Sequence, residues 1–114
     1  RQRILRLPEV VSFLETTEKS LWLWAREGYL PLLRNPHEHQ GKSYLFDREA
    51  IDQWHVWYVT PTEARRLLGA SQYIAFRKRV FAGCYPSPVP QDMIPKFYHR
   101  PVLEQFQAEL AQQL

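Results

Sequence analysis

The sequence has a single cysteine, Cys84, so no internal disulfide can close, and one thiol with no second Cys near it is a poor start for a structural zinc site. No apolar run approaches the roughly 18 residues of a membrane span, and no signal-peptide pattern precedes the folded-looking sequence. Also missing are a glycine-rich phosphate loop, a nucleophile motif and a pair of acidic residues set for metal-assisted chemistry. His37 and His39 flank Glu38, but two imidazoles without nearby Cys do not make a zinc set. These absences lead to the expectation of a soluble, cytoplasmic chain without catalysis, cofactor or metal. The opening Arg1 reads as a piece of a longer polypeptide, whose remaining domains or a protein partner would share the function.

What is present is apolar and aromatic. Hydrophobic residues make up 45% of the 114, with four Trp, six Tyr and six Phe, enough to bury a core in one domain or in two very small modules. The net charge of +3 is unevenly placed: residues 1–57 carry eight Lys or Arg against eight Asp or Glu, and residues 58–114 carry seven against four. The whole excess lies in the second half, where a polyanionic partner would be drawn.

The chain repeats itself. Leu7 to Thr17 lines up with Pro61 to Ser71 at an offset of 54, matching Glu9 to Glu63 and Leu14 to Leu68. Glu27-Gly28-Tyr29-Leu30-Pro31 then corresponds to Ala82-Gly83-Cys84-Tyr85-Pro86, and Phe46 to Trp54 corresponds to Tyr98 to Phe106. Three blocks in one order define two units, residues 1–57 and 58–114.

In the first unit Pro8 suits a first helical turn, and Val10, Phe13 and Leu14 share a helical face. Thr17 caps a second helix from Glu18 to about Glu27, stopped by Gly28. The stretch from Tyr29 to Phe46 reads as strand, loop, strand; Asp47 caps a third helix whose stripe is Ala50, Ile51, Trp54 and Tyr58. Trp24, Trp54 and Trp57 are expected in the core. In the second unit Thr60 caps a helix with Ala64, Leu67 and Leu68 inside, and Ser71 caps the next, with Tyr73, Phe76 and Val80 in the core. Four prolines between Tyr85 and Phe97 argue for an irregular loop. A last helix from about Arg100 turns Val102, Leu103, Phe106 and Leu110 inward.

Glu9-Val10 followed by Leu14, then Arg26-Glu27-Gly28 with Leu30-Pro31, then Phe46-Asp47 with Ile51 and Trp54 resembles the DNA-binding unit of the excisionase, AlpA and MerR-like group, over residues 4–55 and more loosely over 60–106. The resemblance implies a mainly α fold of tandem winged helix-turn-helix units, each with a small β-hairpin wing, in a regulator, excisionase or transposition protein. It also implies that each second helix meets the major groove of double-stranded DNA and each wing the backbone. The candidates are Lys19, Trp22 and Arg26 on the first such helix, Arg34 and Lys42 in its wing, and Gln72, Arg77, Lys78 and Arg79 on the second. Successive helical residues are about 100° apart, so the Arg-Lys-Arg run cannot face one way, and two of the three are expected on phosphate. The neutral, Trp-rich first unit leaves an alternative: the same fold docking a protein.

Overall fold

The computed structural model describes residues 3–34 and 43–113. Its contacts divide the chain into two units, Arg1–Val56 and Trp57–Leu114. Among the described residues the first runs β1 (Ile4–Arg6), α1 (Leu7–Leu14), α2 (Glu18–Arg26), β2 (Leu45–Asp47) and α3 (Arg48–Trp57), whose last residue is the first of the second unit. The second continues with β3 (Tyr58–Val59), α4 (Pro61–Leu68), α5 (Ala70–Phe81), β4 (Tyr98–His99) and α6 (Arg100–Gln112). The chain is mainly helical, with a small two-stranded antiparallel sheet in each unit.

The sequence repeat reappears as a repeat of strand register. Leu5 lies opposite Phe46, and Val59 opposite Tyr98; one pair on, Ile4 meets Asp47 and Tyr58 meets His99. Leu5, Phe46, Val59 and Tyr98 are all buried. The turns around the second helix repeat in part. The chain enters the left-handed region at Glu15 and Gly69, between the first two helices, and again at Gly28 and Gly83, after the second. Gly28 and Gly83 match closely, at φ +85° and +82°, whereas the first turn differs: Gly69 alone, with ψ 158°, stands where unit 1 has Glu15, with ψ 63°, Thr16 and Thr17.

Local chemistry sets the helix starts. Arg6 N donates to Glu9 Oε1 at 3.0 Å, Thr17 Oγ accepts from Ser20 N, and Thr60 Oγ accepts from Glu63 N, so early backbone donors or their neighbours find oxygen partners. Asp47 Oδ2 accepts from Ala50 N in the same way, although Asp47 itself belongs to β2. Ser71 does not cap α5: the helix starts at Ala70, behind Gly69 at φ +83°.

In unit 1 Val10, Leu14, Leu21, Trp24, Ala25, Ile51 and Trp54 are buried, and Trp54 Nε1 donates to Tyr29 O at 3.0 Å. In unit 2 a single cluster joins Val59, Ala64, Phe76, Val80, Tyr85, Tyr98, Val102, Leu103 and Phe106, with Leu68, Tyr73 and Leu110 packed against it. Three expected core residues lie outside. Phe13 is half-exposed and meets His55 edge-on at 5.1 Å. Leu67, in the last turn of α4, is exposed although it falls between the buried Glu63 and Ala64 around the helix, and Leu68 beside it is half-buried. Trp57, the last residue of α3, is 58% exposed; Tyr58 leaves the helical stripe altogether and begins β3.

Of the expected hairpin between Tyr29 and Phe46 the described residues show one antiparallel bridge, between Arg34 and Leu45, while residues 35–42 lie outside them and β2 takes β1 as its ladder partner. Pro31 has no N–H to offer a ladder, which disfavours a strand from Leu30. The proline-rich stretch 85–97 contains no strand, in keeping with its reading as an irregular loop.

Candidate nucleic-acid interface

On α2, Lys19, Trp22 and Arg26 are exposed, while Leu23 is half-buried. Trp22 and Arg26 are four residues apart, and the guanidinium stands 4.8 Å from the centre of the indole. Arg26 also pairs with Glu27 at 3.0 Å, so much of the positive field on this face is matched locally. A cleft of about 360 Å³ opens beside Trp22, with Pro8, Glu18 and Tyr44 in its walls. Arg34 Nε donates to Ser43 O at 3.0 Å, tying its guanidinium back to the chain. Lys42, like His37 and His39, lies outside the described residues.

On α5, the cations divide between two sides. Arg79 turns toward α6, 3.7 Å from Glu109 and 5.1 Å from the centre of the Phe106 ring. Hydrogen bonds from Tyr85 and Gln105, then the Arg79 charge, hold the Glu109 carboxyl below its ordinary range, against some desolvation. Arg77 instead lies over Phe81 at 4.4 Å, and Gln72 and Lys78 are exposed. Among the described residues neither Arg77 nor Lys78 has a carboxylate within ion-pairing distance, 4.0 Å. The outer side of α5 is therefore the more strongly positive of the two second helices. Aligning Gly28 with Gly83 puts Trp22 against Arg77 and Arg26 against Phe81, so the same cation–aromatic pair recurs with its members exchanged.

Three polar residues that hold unit 2 together escaped the sequence reading. Glu63 is 5% exposed and accepts from Arg100 Nη2 at 3.0 Å, with Arg66 at 3.9 Å; Arg100 also donates to Tyr58 O at 3.0 Å. The repeat held a signal for this pair, since Glu63 and Arg100 sit at the positions of Glu9 and Arg48. Lys96, 2% exposed, donates from Nζ to Pro90 O at 2.7 Å, and no sequence pattern marks it.

His99, the residue before α6, packs against Tyr58 at 5.6 Å, and burial lowers its imidazole pKa from the ordinary 6.5. The unfolded chain thus binds more protons just below that value. Stability is fully present above about pH 6.5 and falls as the pH drops through the window down to the folded pKa. Urea midpoints at pH 7.5 and 5.5 should accordingly differ more for the native chain than for His99→Gln; equal differences would contradict the assignment.

Among the described residues no cluster of three or more His, Cys, Asp or Glu is arranged to hold a metal ion, and no helix is long and apolar enough to cross a membrane. No protein-family model matches the chain, and comparison with curated proteins and with solved structures finds no match.

Proposed function

We propose that the chain is a double-stranded DNA-binding module of the winged helix-turn-helix kind, acting by binding alone in a regulator, excisionase or transposition protein. The observation that carries this reading is the outer side of α5, where Arg77 and Lys78 stand exposed with no carboxylate against either cation among the described residues; Gln72, also exposed, is seven residues from Arg79 and so lies on that flank of the helix. Arg and Lys supply contacts to phosphate oxygens or guanine edges, and Gln can reach adenine. Arg79, held by Glu109, is assigned to packing rather than to DNA.

The test is a fluorescence-anisotropy titration of labelled mixed-sequence duplex. Arg77→Ala/Lys78→Ala is expected to weaken binding about tenfold or more, since charged hydrogen bonds contribute roughly 1.5–3 kcal/mol each. Arg79→Ala should change it less than about twofold. Equal effects of the two variants would remove the reading.

A second reading concerns unit 1 and rests on the cleft at Trp22. Its lining of Leu7, Pro8, Trp22 and Tyr44, in a unit with no net charge, suits a protein partner better than phosphate.

A further inference from the structure

In unit 2 a small cleft of about 120 Å³ lies where the start of α4, the outer side of α5 and the end of the proline-rich loop meet; Arg77, Lys96, Tyr73, Tyr98 and Phe81 line it. Two cations share the Phe81 ring there, the Arg77 guanidinium carbon 4.4 Å and the Lys96 Nζ 4.9 Å from its centre. Neither has a carboxylate within 4.0 Å among the described residues. The nearby charge of Asp92 is felt at Lys96 but is outweighed by burial, so the ammonium pKa is lowered. Two like charges on one ring are mutually unfavourable, and a bound anion would offset both the repulsion and the desolvation of Lys96.

Donors remain around these cations. Lys96 gives one of its three protons to Pro90 O, leaving others. The Tyr73 and Tyr98 hydroxyls are 2.9 Å apart, and one proton closes that bond while the other remains to donate elsewhere. Burial raises the Tyr98 pKa, with the Tyr73 hydrogen bond adding to the rise, so this hydroxyl keeps its proton. The volume is well below the roughly 300–1,000 Å³ of a small-molecule pocket, which suits one tetrahedral oxyanion rather than a whole nucleotide.

We propose that this cleft is a phosphate site in which Arg77, Lys96 and the Tyr73–Tyr98 hydroxyl pair hold a single phosphate group. Its source as a backbone phosphate of duplex DNA rests on the function proposed above; a free phosphate is the other source of the same chemistry.

Two arms separate these sources. In the first, inorganic phosphate is titrated into the ¹⁵N-labelled chain at constant ionic strength. Saturable amide shifts are expected at Tyr73, Arg77, Phe81 and Tyr98, and are expected to vanish in Arg77→Met and in Lys96→Met. The exposed Arg77 position keeps the test valid should Lys96→Met fail to fold. Shifts that do not saturate, or that persist in a folded variant, overturn the site.

In the second arm, duplex binding is measured across a salt series. Loss of one backbone contact should reduce the log–log slope by about one in Lys96→Met or Arg77→Met. Phosphate binding with an unchanged slope in a DNA-binding variant assigns the site to free phosphate and overturns the backbone source. Phosphate binding by a native chain that does not bind duplex leaves the site standing and removes the DNA reading.

Discussion

Phe76→Ala is expected to destabilise unit 2 by about 3–5 kcal/mol, the usual cost of removing a fully buried phenylalanine. Phe76 is completely buried on α5, and its ring meets Tyr98 from β4 at 5.0 Å, Phe106 from α6 at 5.4 Å and Tyr85 from the loop at 6.2 Å. One side chain thus joins three separate parts of the unit. A unit of this size, Trp57–Leu114, holds on the order of 3–9 kcal/mol in total, so the variant should be marginal or unfolded near 25 °C. Near-UV circular dichroism of the tyrosines, followed through a urea titration, measures the loss. A midpoint shift worth less than about 1 kcal/mol would mean that the ring is not the centre of the core. Ile74→Ala, at an exposed position two residues away, is the matched control and should change stability little.

Arg100→Met should destabilise the same unit by about 3 kcal/mol through a different mechanism. The substitution keeps an unbranched apolar stem but removes the guanidinium 3.0 Å from a Glu63 carboxylate that is almost wholly buried. Breaking one side of such a pair leaves a buried charge poorly compensated, which costs roughly 3–5 kcal/mol. The lower end applies here because Arg66 remains at 3.9 Å and the Arg100 side chain is itself 20% exposed. The hydrogen bond to Tyr58 O is lost too, loosening the contact between the start of α6 and β3. Pairing the change with Glu63→Met tests the mechanism: the double variant should recover a large part of the loss. If the double variant is no more stable than Arg100→Met, desolvation of Glu63 is not the cause.

The long-range features that the sequence displayed were those with periodicity. The repeat spacing, the cap at Thr17, the Thr60–Pro61 start and the stripe of Val102, Leu103 and Phe106 all involve several residues at fixed intervals, and each has a counterpart in the fold. Strands of two or three residues carry no such signal, which is why the pairing of Ile4–Arg6 with Leu45–Asp47 was not legible while the helices were. Helix ends misled in the same way: Trp57 and Leu67 fit an apolar stripe, but each stands in the last turn of its helix and is exposed. For the candidate interface, the division of Arg77 from Arg79 followed from helical angle. Their partners did not, because Phe106, Glu109 and Lys96 come from distant parts of the chain.

The most direct test of the account is the salt dependence of duplex binding by the intact chain. An outer face of α5 that neutralises two phosphates, with the cleft at Lys96 sharing one of them, predicts that log K falls linearly with log salt concentration at a slope of about −2 or steeper. That slope should lie nearer zero by about one to two in Arg77→Ala/Lys78→Ala and stay the same in Arg79→Ala. Absence of binding at low salt, or binding with no dependence on salt, would contradict DNA recognition by unit 2 and shift the assignment to a protein docking at the Trp22 cleft.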